Sequence, residues 1–241
     1  MKGVVLAAGE GQRLRPLTLD TPKVLLKVGG RALIQYSLDA LDSAGISDVA
    51  VVLGYQAEKV EDAVRAIAPD VTFVRNEHFE EGNAISLRVA RDFVGDSPFV
   101  LSMGDHTISP EMVRRLLSCT REGCVLCVDQ EAWHPSQLDD ATRVLMDRSG
   151  DITAIGKRLK VWNAIDTGVF RMTAGVFPVI DRLMEDEGLD VSLSSIVRWM
   201  GSNGLPFGVC DVSGLFWADV DTREDYQAVG DLLKELHGRR L

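Results

Sequence analysis

GVVLAAGEGQRLRPLTLDTPKVLL, Gly3 to Leu26, carries the decisive reading. Gly3–Ala8 is a near-continuous apolar run, the mark of a strand buried on both faces. A polar glycine loop, Gly9–Arg15, follows. Pro16 and Pro22 then punctuate Pro16–Lys27, which reads as extended. Gly9 and Gly11 permit a tight turn whose backbone N–H groups can face phosphate oxygens. Arg13 adds a forked donor for a phosphate. Lys23 follows Pro22, which fixes the local backbone direction. A dinucleotide loop would need a third glycine at the position of Leu14, and a Walker loop would need Gly-Lys-Ser/Thr; neither occurs.

Outward from this stretch, strands and helices alternate. Ala32–Ala44 is helical by the spacing of Leu33, Ile34, Ser37, Leu38 and Leu41, with Gly45 beyond its end. Asp48–Leu53 reads as a strand, Gln56–Ile67 as a helix, Val71–Arg75 as a strand and Asn83–Asp92 as a helix. Pro98–Ser102 is a strand, Pro110–Cys119 a helix with Pro in its first turn, and Cys124–Asp129 a strand. Such alternation predicts an α/β, doubly wound sheet. Ligands then bind beyond the carboxyl ends of the strands, which directs attention to the loops after Ala8 and Ser102. The second half reads as a hairpin (Thr142–Asp147, Asp151–Ile155), a short strand Thr167–Arg171, and helices Thr173–Glu187 and Ser192–Met200. Strands Phe207–Asp211 and Leu215–Ala218 and a closing helix Thr222–His237 complete it. We expect one domain over 1–241, with a nucleotide-binding half at 1–130 and an acceptor-binding half at 131–241.

Composition narrows the function. The 241 residues carry a net charge of −10, so a nucleic-acid partner is not expected. An acidic chain that holds an anion must concentrate its few cations, so Arg and Lys beside glycines carry information. No apolar run approaches the roughly 18 residues of a membrane span, and VVLAA runs too soon into a polar loop to be a signal segment. The four cysteines suggest no disulfide framework, and a cytoplasmic setting is expected. Cys124 and Cys127 lie three apart in a strand and so face opposite sides, which favours burial over shared metal binding.

Four further segments can carry chemistry. VLSMGDH (Val100–His106) ends an apolar strand in Gly104-Asp105; the carboxylate can hold Mg²⁺ against a triphosphate or cap the next element. FWADVDT (Phe216–Thr222) offers Asp219 and Asp221, which share a face in an extended segment; Asp221 or Thr222 could instead cap the final helix. EEGNAISLRVA (Glu80–Ala90) places Gly82 and Asn83 where they can meet a base edge or start a helix. ITAIGKRL (Ile152–Leu159) holds Lys157 and Arg158, a cation pair for a phosphate or a solvated turn.

The Leu6–Leu26 string resembles the signature of the sugar-phosphate nucleotidyltransferase family, L-A-A-G-x-G-x-R-L-x-P-L-T…P-K-x-L. That resemblance implies a Rossmann-like, mixed-sheet fold of the GT-A-like type. It also implies that Leu6, Ala7, Ala8, Gly9, Gly11 and Gly104 border the nucleotide, with Asn83 and Ser86 at the base. Arg13 and Lys23 would neutralise charge around the reacting phosphorus, and Asp105 with Asp219, then Asp221, would hold Mg²⁺. The strings MGDH, IGKRL and AIDTGVF look like the inositol-1-phosphate cytidylyltransferase branch. There Lys157, Arg158, Asp166, Thr167 and His106 would face the acceptor. The implied substrates are a nucleoside triphosphate, CTP favoured, and a phosphorylated polyol. Many members of that branch carry a fused membrane transferase; this sequence ends at Leu241 without one, so the product is expected to pass to a separate membrane protein. Other sugar-1-phosphate or phosphocholine nucleotidyltransferases, and a non-catalytic nucleotide-binding regulatory subunit, stay open, as does a homo-oligomer.

Overall fold

A computed structural model describes residues 1–132, 138 and 140–238. Four parallel strands with helical crossovers form the first half of the main sheet. β1 (Lys2–Ala7), β4 (Val49–Leu53), β5 (Thr72–Arg75) and β6 (Phe99–Met103) are mutually parallel neighbours in the order β6-β1-β4-β5. A small hairpin, β2 (Lys27–Val28) and β3 (Arg31–Ala32), leads into α1 (Leu33–Ser43). Helices α2 (Ala57–Arg65), α3 (Asn83–Arg88), α4 (Arg91–Val94) and α5 (Pro110–Ser118) connect or flank the strands, and β7 (His106–Ile108) follows β6.

Beyond β6 the sheet turns antiparallel. β8 (Cys124–Asp129), β9 (Arg143–Met146), β10 (Ile152–Gly156) and β11 (Ala164–Met172) come next in the chain. The C-terminal part of β11 pairs with β6, its start pairs with β9, and its other edge pairs with β8. Helices α6 (Val176–Glu187) and α7 (Leu193–Ser202) precede β12 (Phe207–Asp211), which lies parallel to β8. β13 (Trp217–Asp219) pairs with β7, and α8 (Arg223–Gly238) closes the chain. The expected mixed, doubly wound α/β sheet is thus present, with the order β10-β9-β11-β6-β1-β4-β5.

Strand alternation sorts the apolar side chains into two cores. Val4, Leu6 and Val52 face one, with Leu87 of α3, Ile180 of α6 and Ile196 of α7. Val5, Ala7 and Val51 face the other, with Leu41 of α1, Val60 of α2 and Met112 of α5. Cys124 packs in the first core and Cys127 in the second, as their odd spacing requires. A third cluster joins Leu14, Leu26 and Leu33 to Val220, Val229 and Leu233, seating α8 against the N-terminal loop.

Two expectations are corrected. Pro16–Lys27 is not extended: it runs through turns into a 3₁₀ segment, Lys23–Leu25, in which Leu25 N–H donates to Pro22 O and Leu26 N–H to Lys23 O. The strand expected at Thr167–Arg171 is nine residues long, because the pairing with β8 shifts register between Asp166 and Phe170 around Gly168, whose φ is +75°. The shift lets the strand pass an apparent break.

Gly82 shows how closely the two halves meet. A Cβ placed there would lie 2.1 Å from Val191 O and 2.5 Å from Val191 N, both rigid backbone. Ala84 N–H also donates to Val191 O, and Leu193 N–H donates to Asn83 Oδ1 at 2.8 Å. Gly82→Ala is therefore expected to lower unfolding free energy by about 2–4 kcal/mol. Urea denaturation of the variant tests this; a midpoint equal to that of the parent chain would show that the contact is slack.

Candidate active site

The carboxyl ends of adjacent parallel strands β1 and β6 deliver the glycine loop and Asp105 side by side. Leu6 is in register with Met103, and Gly104 N–H donates to Leu6 O at 2.9 Å. A Cβ on Gly104 would come within 2.9 Å of that same oxygen, so this crossing needs glycine. Gly11 sits at φ +69°, and a Cβ there would meet Lys23 Cβ at 2.7 Å. Glycine lets the loop lie directly on the Lys23 stem. Gly9 has open space where its side chain would be.

Lys23 is only 5% exposed. Its ammonium donates to Asp105 Oδ2 at 2.5 Å and to Asp221 Oδ1. Burial alone would lower its pKa, yet the negative charges of Asp105, Asp221 and Asp219 hold it above the ordinary lysine value. The same charges act in reverse on Asp105: burial raises its pKa, and Lys23 overrides this and holds the carboxyl below the usual range. Asp221 spends its second oxygen on Arg13, and its pKa is likewise depressed by Lys23 against its burial. Thr222 and Asp225 cap α8 reciprocally, Asp225 N–H to Thr222 Oγ1 and Thr222 N–H to Asp225 Oδ2, which leaves Asp221 free of the capping role.

Pairing of β7 with β13 assembles the acidic cluster. Asp219 stands opposite His106 in that register. One carboxylate oxygen each from Asp105 and Asp219 and a ring nitrogen of His106 lie within 4.8 Å of one another. Oδ1 of Asp105 and Oδ1 of Asp219 are buried and have no hydrogen-bond partner among the described residues. Two orphaned buried carboxylate oxygens facing one point suit a hard divalent cation. Burial and the nearby charges of Asp105 and Asp221 push the Asp219 carboxyl up to about 6, even against the pull of His106. Burial disfavours charge on His106, yet Asp219 and Asp105 raise its pKa. Asp221, committed to Lys23 and Arg13, lies outside this trio.

Two cavities open on the cluster. The smaller, about 200 Å³, is lined by Leu6, Ala7, Ala8, Gly9, Asn83 and Ser86, with Lys23 and Asp105 at its boundary. Ser86 is buried and accepts a hydrogen bond from Asn76 Nδ2. The larger, about 620 Å³, is bordered by Arg13, Asp105, His106, Lys157, Asp166 and Asp219. Asn83 and Asp105 belong to both. Two residues expected at the acceptor stand apart from the larger lining. Thr167 is fully buried and donates its hydroxyl to Cys127 O at 3.0 Å, while Arg158 is exposed on the turn after β10.

Sequence reasoning missed Asp140. Its Oδ2 accepts from Arg13 at 2.6 Å and from Lys157 at 2.8 Å, bridging a cation from each half. It follows another aspartate in the sequence, and nothing in the local residue pattern marks it. Trp217 and Phe170 also line the larger cavity, and both read in sequence as ordinary strand residues.

These features make a candidate α/β site at strand ends, with a glycine loop and cations suited to phosphate and an acidic cluster suited to a cation. Residues 3–201 match the MobA-like NTP transferase domain, and the chain belongs to that family. Over 224 residues (92% of this chain) it is 34% identical to a bifunctional IPC transferase and DIPP synthase of Rubrobacter xylanophilus, and over 227 residues (93%) 34% identical to that of Archaeoglobus fulgidus. The matched parts are 49% and 42% of those proteins, so the chain spans about half the length of the curated relatives it matches. The fold superposes on the inositol-1-phosphate CTP transferase from T. maritima with a TM-score of 0.82 at 29% identity, covering 97% of this chain and 96% of that one. The chain thus carries a nucleotidyltransferase fold. No helix among the described residues is long and apolar enough to cross a membrane.

Asp166 gives a stability prediction. It accepts from Gly168 N–H at 2.8 Å, yet burial dominates and raises its carboxyl to about 6 from an ordinary 3.8. A value raised by folding means the folded chain holds the proton more tightly. Stability is therefore lost as pH rises from 3.8 to about 6. Asp166→Asn should gain about 1–3 kcal/mol at pH 8 and almost nothing at pH 4. Thermal melts at the two pH values check it; a variant less stable at pH 8 would overturn the assignment.

Proposed function

We propose that the chain transfers a cytidylyl group from CTP to 1L-myo-inositol 1-phosphate, giving CDP-inositol and pyrophosphate. The observation that carries this is the junction itself: a glycine loop, the buried Lys23 and the exposed Arg13 as phosphate-neutralising charge, and a cation-fitting acid cluster, set between a small and a large cavity. The relatives' names supply the choice of base and acceptor, and the branch motifs MGDH, IGKRL and AIDTGVF agree with it.

The acceptor's phosphate oxygen would attack the α-phosphorus of the nucleotide in line, and pyrophosphate would leave. No general base is needed, because a phosphate monoester is already anionic near neutral pH. The obstacle is charge. Two unit charges at 4 Å repel by about 4 kcal/mol at an effective dielectric of 20. Leu6–Gly9 and Gly11 would cradle the nucleotide, with Asn83 and Ser86 at the base. Arg13 and Lys23 would face its phosphates, and Lys157 the acceptor phosphate. Arg13 and Lys157 would exchange their carboxylate partner Asp140 for substrate oxygens. His106 and Asp166, which border the larger cavity, would complete the acceptor side, and Gly104 would lie on the nucleotide side against the glycine loop. Asp105 and Asp219 would hold Mg²⁺, which when bound screens the phosphates and polarises the reacting phosphoryl group. Asp221 would serve by holding Lys23 and Arg13 in place. Catalysis of this kind is positioning and fixed electrostatics.

In this reading the nucleotide side spans residues 1–130 and the acceptor side 131–241. The enzyme works in the cytoplasm, and its CDP-polyol passes to a membrane transferase. A second reading rests on the carboxylates of the larger cavity, including Asp166, Asp219 and Glu224. They would also suit a cationic acceptor such as phosphocholine.

Pyrophosphate release should be seen with CTP and inositol 1-phosphate, and far less with other pairs in a grid of four nucleotides and several acceptors. Release with phosphocholine and not inositol 1-phosphate would replace the first reading by the second. Asp105→Asn should cut turnover about 100-fold or more. Asp219→Asn should raise the metal concentration needed for half activity about tenfold or more. Asp221→Asn should lower turnover with a much smaller change in metal requirement; the reverse ranking in a metal titration would exchange the two roles.

A further inference from the structure

His106 was expected to face the acceptor. Its surroundings suggest a different task. The ring is pinned from one side: Nδ1 lies 3.0 Å from Thr167 O, a carbonyl that can only accept. In the neutral ring the proton therefore sits on Nδ1, and Nε2 carries a free lone pair. Gly168 closes over the same ring. A Cβ on Gly168 would fall 2.5 Å from His106 Cε1 and 2.6 Å from Nδ1. The ring orientation is thus fixed by backbone on two counts.

Nε2 in turn points at the acids. It lies 3.6 Å from Asp219 Oδ1 and 3.8 Å from Asp105 Oδ1. These are the two buried oxygens that lack a hydrogen-bond partner among the described residues. A protonated histidine paired with a carboxylate would close to roughly 2.7–2.9 Å. The observed distances are too long for that. They are less than 1 Å wider than the roughly 3 Å that separates neighbouring donors on an octahedral ion with bonds of about 2.1 Å. Ligating histidines ordinarily give their other N–H to a carbonyl or carboxylate, which is the arrangement at Thr167.

We propose that His106 Nε2 is a direct ligand of the divalent cation, forming with Asp105 and Asp219 a nitrogen-and-oxygen site that holds Mn²⁺ or Co²⁺ more tightly than Mg²⁺. Mg²⁺ is served by oxygen donors alone, whereas imidazole raises affinity for first-row transition ions. The assignment builds on the cation role given to the acids above, but not on the identity of the nucleotide or acceptor.

The test is a spectroscopic titration of the chain with Mn²⁺ alone, without substrates. Pulsed electron paramagnetic resonance of the Mn²⁺-loaded protein should show coupling to an imidazole nitrogen. His106→Gln should abolish the coupling and weaken Mn²⁺ about 10- to 100-fold, with a much smaller change for Mg²⁺. Gly168→Ala, which displaces the ring without removing it, should also lose the coupling. Absence of nitrogen coupling in the parent protein would overturn the proposal, and needs no folded variant. So would parent-like Mn²⁺ affinity in His106→Gln, or equal losses for both metals. Failure to release pyrophosphate from CTP and inositol 1-phosphate, with nitrogen coupling intact, would sink the substrate reading and leave this one standing.

Discussion

One buried ammonium organises this molecule. Lys23 reaches Asp105 from the end of β6 and Asp221 from the start of α8, so three distant parts of the chain meet on a single charge. Removing Lys23 would strip Asp105 and Asp221 of the buried counter-charge they share, which is far costlier than losing a surface ion pair. The constraint propagates outward. Gly11 must be glycine for the loop to lie on the Lys23 stem, and the third apolar cluster must bring α8 close enough for Asp221 to arrive. The loop geometry, the helix position and the charge arrangement are therefore one feature rather than three.

A second device, the short pairing of β7 with β13, sets the acidic cluster. Three residue pairs suffice, because they place Asp219 opposite His106 in a fixed register. Charge is then divided with little waste. Asp221 satisfies the two loop cations, while Asp105 gives one oxygen to Lys23 and leaves the other facing Asp219. Two acids that would repel each other are held together by burial and by the neighbouring ammonium. Such an arrangement stores unfavourable electrostatics that a bound cation would relieve.

Much of this was legible in the residues. Apolar runs and helix spacing located the parallel half closely, and Cys124–Asp129 coincides with its strand. Gly9, Gly11, Arg13, Lys23 and Asp105 stood out because glycine beside cations, or an acid at a strand end, is chemically unusual in so acidic a chain. What escaped depends on distant partners. β7 is three residues with no periodicity to detect, and it exists because β13 covers it. The length of β11 was hidden by Asp166-Thr167-Gly168, which looks like a break but is absorbed by a register shift. Asp140 is significant only through Arg13 and Lys157, both remote in sequence. In an extended stretch Asp219 and Asp221 share a face, and only the resemblance ranked Asp219 first; the positions of Lys23, Arg13 and His106 give the physical distinction.

Asp166 shows what the larger cavity costs in the free protein. Its carboxyl is held up to about 6 because burial outweighs its one backbone hydrogen bond and the charge of His106. A core would normally exclude such a group. The hydroxyls of a polyol are donors, and each one placed on Asp166 would replace hydration that the fold removes. In the proposed reading phosphate, an acceptor, would gain nothing there and would be turned toward Arg13 and Lys157, which border the same cavity. Once those two cations exchange Asp140 for phosphate oxygens, the cavity would orient a molecule that has hydroxyls at one end and phosphate at the other. Burying the Asp166 charge costs the free protein stability, and in the proposed reading a bound polyol would offset part of that cost, so a chain optimised for stability alone would not keep an aspartate at this position.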